Sequence, residues 1–186
     1  MKVKNIKVGG LQTNCYILVD EKSNEAVVID PGDEAGLILP EIAGLKVKYI
    51  ILTHGHYDHV GGVLELKAET QALVLMNDQD NWAFKAEQNF KDGDEIKFGS
   101  EKLKVIATPG HTAGCVCFYS AANNSLFSGD TLFYNTYGRV DLQSSSPRDM
   151  VVSLKKLATL PDETEVFPGH GQPTTIKQEK EIGTLD

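Results

Sequence analysis

The stretch that decides the fold is Thr53-His54-Gly55-His56-Tyr57-Asp58-His59-Val60-Gly61-Gly62. Three histidines and one aspartate, four potential metal ligands, lie within the six residues from His54 to His59. The preceding segment, Val47 to Thr53, is rich in β-branched and apolar residues and predicts a buried strand. Val63 to Lys67 predicts the start of a helix. The ligands therefore lie at a strand-to-helix corner, where glycines allow the backbone to bend tightly around an ion.

The rest of the chain alternates predicted strands and helices irregularly. Strands are predicted over Lys2 to Val8, Cys15 to Asp20, Ala26 to Asp30, Ala72 to Met76, Leu103 to Thr108, Cys115 to Ser120, Ser125 to Ser128 and Glu165 to Phe167. Helices are predicted after an N-cap at Asp33, in the polar stretch Asp78 to Gln88, and over Pro147 to Leu160. This order favours an α/β (α+β) fold, a sandwich of two mixed sheets with helices outside, in a single domain over residues 1–186.

Four of the predicted strands end in a block of potential ligands. The blocks are Thr53 to His56, Pro109 to His111, Ser128 to Asp130 and Pro168 to His170, and together with His59 they contain all five histidines. Ligand sites of α/β proteins usually lie where the carboxyl ends of strands gather at one edge of a sheet. The sequence therefore predicts that the blocks form one cluster.

The size of this cluster indicates two metal ions. Five imidazoles with Asp58 and Asp130 are too many for one tetrahedral ion, which takes about four ligands. Two ions about 3.5 to 4 Å apart can share an oxygen ligand and lower the pKa of bound water to roughly 7. Such a pair of ions is typical of a hydrolase. Two carboxylates and a hydroxide leave one positive charge, which favours a small, anionic substrate whose reacting oxygen becomes negative.

The composition excludes several classes of partner. A net charge of −8 and the scarcity of arginine, only Arg139 and Arg148, argue against binding to nucleic acid or to a membrane surface. No apolar run is long enough for a membrane span, and the first residues do not resemble a signal peptide, so a soluble, cytoplasmic protein is expected. Three cysteines without CxxC spacing, in apolar segments, are expected to be reduced and buried.

The ligand blocks also resemble a known family. THGHYDHVGG (53–62), TPGHT (108–112), SGDTLF (128–133) and PGHG (168–171) are similar, in kind and in order, to the motifs of the metallo-β-lactamase superfamily. Within it the chain looks most similar to compact glyoxalase II-like hydrolases, which cleave thioesters such as hydroxyacyl-glutathione. The resemblance implies a four-layer αβ/βα sandwich with the metals at one edge.

The same resemblance assigns roles to individual residues. It implies that His54, His56 and His111 bind one metal, that Asp58, His59 and His170 bind the other, and that Asp130 bridges the two. Asp58 would be the catalytic residue that orients a metal-bridging hydroxide for attack on the thioester carbon. Asp30 would contact the metal ligands rather than the metals. The expected cofactors are two divalent ions, zinc first, with iron or manganese as alternatives.

Several alternatives stay open from the sequence. Full-length glyoxalase II has a further C-terminal helical region that helps to hold glutathione, whereas Gln172 to Asp186 suffices for one short helix, so another thiol is equally open. Tyr134 and Tyr137 are candidate substrate contacts. Trp82 and Phe84 are expected either to cover the core or to form a lid, and the oligomeric state is undetermined.

Other functions on this scaffold are weaker interpretations. An iron-dependent persulfide dioxygenase is the main alternative, but it needs one iron, and the second ligand set weighs against it. A lactonase, a phosphodiesterase and a nuclease are less favoured. A purely structural metal site is disfavoured because structural zinc sites are closed by four protein ligands, whereas three ligands per ion and a bridge leave room for water.

Overall fold

Two six-stranded β-sheets pack against each other in the structure, a computed structural model that describes residues 1–82 and 85–186. The first sheet contains β1 (Lys2–Val8), β2 (Thr13–Asp20), β3 (Glu25–Ile29), β4 (Lys46–Ile51), β5 (Leu73–Met76) and β6 (Gln88–Asn89), side by side in chain order. The pairs β1–β2 and β2–β3 are antiparallel, and the remaining pairs are parallel. The sheet is therefore mixed, as predicted.

The later strands build the second sheet and a separate hairpin. They are β7 (Glu95–Phe98), β8 (Glu101–Ala107), β9 (Val116–Ser120), β10 (Ser125–Gly129), β11 (Leu132–Phe133), β12 (Thr136–Tyr137), β13 (Glu165–Pro168) and β14 (Thr174–Thr175). The second sheet has the order β14-β13-β10-β9-β8-β7, and β11 pairs with β12. Strands β10 and β13 are parallel, so their carboxyl ends lie at the same edge.

The helices cover the outer faces of the two sheets. They are α1 (Ala35–Ile42), α2 (Tyr57–Val60), α3 (Val63–Thr70), α4 (Pro147–Leu157) and α5 (Ile176–Glu181). Ile38 of α1 and Leu66 of α3 pack in one buried cluster with the first sheet, whereas Leu154 of α4 and Ile176 of α5 pack with the second. The result is the predicted four-layer αβ/βα sandwich, with the helices outside.

Strand β2 illustrates why the sequence contains a continuous apolar run where the chain crosses the core. Every residue of this strand is buried. Ile17 packs in the cluster that includes α1 and α3, and Leu18 packs in the cluster between the two sheets. Because successive side chains of a strand point to opposite faces, a strand covered on both faces is apolar at successive positions, here from Cys15 to Val19.

Backbone hydrogen bonds join the two sheets at the edge where the ligand blocks lie. The amide of Val116 donates to the carbonyl of Thr53 at 2.9 Å, and the amide of Asn14 donates to the carbonyl of Gly169 at 2.8 Å. Both bonds connect a strand or loop of one sheet to a loop of the other. The loops that carry the histidines are therefore positioned by both sheets.

Three local predictions were wrong. The polar segment predicted as a helix contains a short 3-10 turn, Asp78–Asp80, and then the strand β6, because it lacks the apolar stripe that docks a helix. Asp33 is not the N-cap of α1. Glu34 takes that place, in a left-handed conformation with φ 46°, and its amide donates a hydrogen bond to Asp33 Oδ1. Strand β7 was not predicted, since its alternation of buried and exposed residues is short, with only two apolar positions, Ile96 and Phe98.

The cysteines agree with the expectation that they are buried. Cys15, Cys115 and Cys117 are free and buried, and burial raises the pKa of the Cys117 thiol to about 11. Such thiols are protonated at neutral pH and pack as small apolar groups. Within residues 1–82 and 85–186, none of the helices has the length and apolar character needed to span a lipid bilayer.

Candidate metal centre

The loops after five strands meet at one edge of the sandwich. They carry Asp30 after β3, His54 and His56 after β4, Asp58 and His59 in the short helix α2, His111 after β8, Asp130 after β10 and His170 after β13. The structure thus brings together every residue predicted as a metal ligand, from both sheets. Phe133 of the β11–β12 hairpin adds a ring whose centroid lies 6.2 Å from that of His170.

His54, His56 and His111 form the first group of potential ligands, with ring nitrogens within 4.8 Å of one another. His56 Nδ1 lies 3.1 Å from His54 Nε2 and 2.9 Å from His111 Nε2. His54 and His111 are buried, whereas His56 is partly exposed toward a cleft. Three converging imidazoles are a donor set that suits zinc, iron and related divalent ions.

Asp58, His59 and His170 form the second group, again with ligand atoms within 4.8 Å. His59 Nε2 lies 3.3 Å from His170 Nε2 and 3.5 Å from Asp58 Oδ2. Asp58 Oδ2 also lies 3.2 Å from His170 Nε2, and it accepts a hydrogen bond from Thr13 Oγ1 at 3.1 Å. Thr13 lies in β2, so the first sheet fixes this carboxylate.

Asp130 lies between the two groups. Its Oδ1 is 3.4 Å from His59 Nε2, and its Oδ2 is 3.5 Å from His111 Nε2 and 3.6 Å from His170 Nε2. Among the residues that the structure describes, the buried Oδ1 has no hydrogen-bond partner. A buried carboxylate oxygen without a partner is costly unless a cation satisfies it. The residues present therefore fit a pair of divalent ions.

The outer nitrogens of two rings face carbonyl oxygens. His111 Nδ1 lies 2.9 Å from the carbonyl of Arg139, and His170 Nδ1 lies 3.2 Å from the carbonyl of Leu11. Since a carbonyl only accepts, each Nδ1 carries the hydrogen and donates it. The lone pair then belongs to Nε2, which points into the cluster. Such outer contacts orient metal-ligating histidines in general.

Asp30 performs the same task for the other two buried rings. Its Oδ2 lies 2.9 Å from His59 Nδ1 and accepts a hydrogen bond of 2.6 Å from Thr53 Oγ1. Because the Thr53 hydroxyl donates to Asp30, its oxygen is free to accept from His54 Nδ1 at 3.0 Å. The amide of Thr53 also donates to Asp30 Oδ1 at 2.8 Å. One carboxylate thereby orients a ring of each group.

Electrostatics favour the metal-binding protonation states in the first group and at the carboxylates. Burial lowers the pKa of His54 and His56, and the neighbouring imidazoles lower it further. Burial opposes ionisation of Asp58 and Asp130, but nearby histidines, His170 first for Asp58 and His59 first for Asp130, hold both pKa values below their usual range. Neutral imidazoles and ionised carboxylates are the forms that bind metal. In the second group burial is outweighed by carboxylates, Asp130 first for His59 and Asp58 first for His170, so the pKa of both rings is raised and a metal ion would have to displace their protons.

Asp80 is a supporting residue that the sequence interpretation missed. It is completely buried, and its carboxylate accepts from the amide of Gly55 at 3.0 Å, the amide of Gly114 at 2.9 Å and Thr112 Oγ1 at 2.5 Å. It therefore ties the His54–His56 loop to the loop of His111. The signal was available, because Asp80 follows strand β5 just as the other acidic residues follow their strands.

Gly169 is required where the loop of His170 passes behind the cluster. A Cβ atom at this position would collide with Asp130 Oδ1 and lie 2.8 Å from His59 Cε1. Contacts this short do not occur for real side chains, so only glycine allows Asp130 and His59 to approach each other here. The glycine of the PGHG motif thus has a packing reason beside the two potential ligands.

The two tyrosines predicted to contact the substrate have different surroundings. Tyr137 lines a cleft of about 290 Å³ with Val140, Met150 and Val151 on the side of α4, apart from the imidazoles. Tyr134 is partly exposed at the tip of the β11–β12 hairpin. Direct roles for these tyrosines stay predictions. Arg139 and Asp141 form an exposed ion pair, with Arg139 Nε 2.7 Å from Asp141 Oδ1.

Of the two aromatic residues expected to form a lid or to cover the core, Trp82 lies beside the cluster. Its ring centroid is 6.1 Å from that of His56, and it is largely exposed. Trp82 therefore does not cover the core. Phe84, the other residue of that prediction, lies outside the described residues.

The fold and the site define a class of protein. The chain matches the metallo-β-lactamase superfamily over residues 8–170, and it belongs to that superfamily. Members of the superfamily bind divalent metal ions, and groups of histidine and aspartate suited to such ions are present here.

Relatives within the superfamily include hydroxyacylglutathione hydrolases. The enzyme of that name from Photobacterium profundum is 38% identical over 84% of this chain and 61% of its own length. The hydroxyacylglutathione hydrolase GloC of Haemophilus influenzae is 32% identical over 97% of this chain and 95% of its own length. An uncharacterized protein of Aquifex aeolicus is 38% identical over 97% of this chain and 94% of its own.

Solved structures share the fold closely. BLEG-1, a B3 metallo-β-lactamase, superimposes with a TM-score of 0.90 at 30% identity, covering 97% of each chain. ETHE1 from Myxococcus xanthus gives a TM-score of 0.90 at 33% identity, covering 98% of this chain and 83% of its own. TTHA1623, solved in a di-iron-bound form, gives 0.85 at 34% identity, covering 97% and 98%.

Proposed function

We propose that the protein is a binuclear metal-dependent hydrolase that cleaves a thioester, as glyoxalase II does. The observation that carries this proposal is Asp130: its buried Oδ1 has no hydrogen-bond partner among residues 1–82 and 85–186, and its two oxygens face nitrogens of both groups. A carboxylate between two ligand sets suits a pair of ions. The hydroxyacylglutathione hydrolases among the relatives support a thioester as the substrate.

Each group would hold one ion. His54, His56 and His111 would bind the first, Asp58, His59 and His170 would bind the second, and Asp130 would contact both. When bound, two divalent ions supply water that is deprotonated near neutral pH and stabilise negative charge on a carbonyl oxygen. Zinc suits histidine and aspartate ligands, and iron or manganese are alternatives; the di-iron form of a 34% identical protein supports iron as one of them.

The side chains of the chain fix the geometry for this chemistry. Asp30 and Thr53 hold the rings of His54 and His59 from behind, so their Nε2 atoms stay directed inward. Asp58 stays ionised and is held by Thr13, and we assign it the task of orienting the attacking water by accepting its hydrogen bond.

The overall reaction is the hydrolysis of one bond. The water oxygen forms a bond to the acyl carbon, the carbon–sulfur bond breaks, and the proton balance yields a carboxylic acid and a thiol. The substrate is proposed to be a small molecule with an anionic part, because bound ions would leave net positive charge at the site.

A substrate panel tests the proposal. Thioesters, a β-lactam, a lactone, a phosphodiester and a persulfide are offered to protein of measured metal content. We expect thioester hydrolysis to exceed all other activities. Oxygen consumption with the persulfide and no hydrolysis of any compound would refute the proposal and favour the dioxygenase alternative.

The Asp130→Asn variant tests the role of the bridging carboxylate. It keeps the side-chain volume but removes the charge, so we expect fewer than two ions per chain and hydrolysis lower by about 100-fold. Metal analysis and thioester kinetics give the two readouts. Glu69→Gln, on the exposed face of α3, removes one carboxylate elsewhere and serves as the control. Two bound ions with unchanged turnover in Asp130→Asn would contradict the assignment.

A further inference from the structure

A cleft with a volume of about 590 Å³ opens beside the metal centre. It is lined by His56, Trp82, Leu142, Gln143 and Ser144. Its size falls within the range of small-molecule sites, about 300 to 1,000 Å³. Because His56 belongs to the three-histidine group, a molecule in this cleft lies next to the reacting centre.

The surface of this cleft is mainly apolar, and its polar residues are His56, Gln143 and Ser144. Trp82 is 61% exposed and Leu142 is 36% exposed, so two large apolar side chains face the opening. In the part of the chain that the structure describes, the lining contains no aspartate, glutamate, lysine or arginine. Exposed apolar surface gathered at a concave site is typical of a place where a ligand binds.

The part of the wall that Leu142 forms is held by hydrogen bonds. The amide of Ser145 donates to the carbonyl of Leu142, and the amide of Leu142 donates to Ser145 Oγ, both at 3.1 Å. Ser145 Oγ in turn donates to the carbonyl of His111 at 2.9 Å. The turn that presents Leu142 is therefore tied to the loop of a predicted ligand. A rigid wall requires little ordering when a ligand binds.

We infer that this cleft binds the acyl half of the substrate, and that this acyl group is apolar and uncharged, with branched or aromatic chains preferred. The inference rests on the proposed thioester hydrolysis. The thiol half of a biological thioester carries carboxylate, ammonium or phosphate groups, and burying these without a charged partner is unfavourable. The acyl half can be neutral, and the indole of Trp82 offers a face for an aromatic or branched chain.

A series of thioesters that share one thiol tests this inference. The acetyl, isovaleryl, phenylacetyl and succinyl thioesters of N-acetylcysteamine differ only in the acyl group. We expect kcat/KM for the phenylacetyl and isovaleryl compounds to exceed that for the acetyl compound by about tenfold, which is the discrimination that a small apolar pocket provides. The succinyl compound, with its carboxylate, is expected to be the poorest substrate.

Two variants locate the preference in the cleft. Trp82→Ala and Leu142→Ala each remove one apolar wall, so the ratio of kcat/KM for phenylacetyl over acetyl is expected to fall toward one. Both side chains are substantially exposed, so folding should be preserved. Leu37→Ala on α1, where the side chain is 50% exposed and away from the cleft, is the matched control and should keep the ratio. A flat series in the native protein, a succinyl preference, or an unchanged ratio in both cleft variants would overturn the inference.

Direct binding separates this inference from the proposed function. Trp82 is the only tryptophan of the chain, so its fluorescence reports on the cleft without catalysis. The unreactive thioether S-phenethyl-N-acetylcysteamine should change this emission with a Kd about tenfold lower than that of the S-ethyl compound, and Leu142→Ala should reduce the difference. This binding preference without hydrolysis of any thioester would refute the proposed function and support the apolar cleft. Hydrolysis without either preference would keep the function and refute the inference.

Discussion

At the scale of single residues, three carboxylates support the metal centre from different sides. Asp30 orients His54 and His59 from behind, Asp130 lies between the two ligand groups, and Asp80 connects the backbones of two ligand loops. Asp30 and Asp80 accept hydrogen bonds from groups of the protein, whereas Asp130 Oδ1 accepts none among the described residues. The contrast separates the two carboxylates that hold other residues of the site from Asp130, which is proposed to contact both ions.

The effect of Asp80 can be tested with Asp80→Asn. An amide can accept at one oxygen only, so at least one of the donors Gly55, Gly114 and Thr112 loses its partner, at a cost of about 1 to 3 kcal/mol. Metal affinity at the three-histidine group should fall about 10- to 100-fold. Titration with Zn²⁺ against a chelating dye measures the affinity of each ion separately.

The control for this variant is Asp78→Asn. Asp78 lies in the same 3-10 turn, but it is exposed. We expect Asp78→Asn to bind both ions as the native protein does. If Asp80→Asn also binds both with unchanged affinity, Asp80 contributes to the fold but does not position the ligands.

At the scale of elements, the ends of strand β2 have different tasks. Thr13 at its first residue holds Asp58 of the metal centre, and Asp20 at its last residue holds the turn that leads to β3. Asp20 also accepts from the amide of Ser100, in the turn between β7 and β8 of the second sheet. The two sheets are thus connected at the edge opposite the metal centre as well.

The hydrogen bonds of Asp20 at this edge predict that the stability of the protein depends on pH. The hydrogen bond from Ser23, then the amide of Ser100, lower the pKa of Asp20 from 3.8 to about 2. Because the folded-state pKa is lowered, the ionised carboxylate contributes its full stability above pH 3.8 and loses it as the pH falls toward 2. Asp20→Asn should therefore be less stable than the native protein at pH 7, and the gap should narrow below pH 4, within about one pH unit of the unperturbed pKa.

Urea unfolding at a series of pH values measures this gap. Glu21→Gln, in the same turn, removes a charge from an exposed side chain and should show a small difference from the native protein. A gap between Asp20→Asn and the native protein that stays constant from neutral to acidic pH would mean that the ionised form of Asp20 gives no special stability.

At the scale of the whole molecule, the arrangement of layers and the cluster of ligands could be predicted from the sequence. Apolar runs that end in glycine and histidine, such as Ile50 to His54, specify both a buried strand and the edge at which it stops. The position of Asp80 after a strand was visible in the sequence, but its task was not, because that task depends on two loops distant in sequence, at Gly55 and Gly114, whose approach is a property of the folded chain. Residues 81–82 and 85–88 were wrongly predicted as part of a helix because polar composition alone does not distinguish a helix from an irregular segment.

The position of the metal centre predicts how the whole molecule responds to metal. Its potential ligands come from loops of both sheets: His54 and His59 follow β4 of the first, and His111, Asp130 and His170 follow strands of the second. Ions bound at the proposed site would therefore join the two sheets, and only in the folded chain. A ligand that binds only the folded state stabilises it by about 4 kcal/mol at a thousandfold excess over Kd. We expect EDTA to lower the Tm while leaving one cooperative transition, since the predicted single domain has backbone bonds between the sheets as well. Scanning calorimetry of the native protein with Zn²⁺ and with EDTA measures both the Tm and the number of unfolding transitions.

Two transitions after chelation would show that the sheets unfold separately and that metal, rather than the packed interface, makes them one unit. An unchanged Tm would mean that the ions do not bridge the sheets.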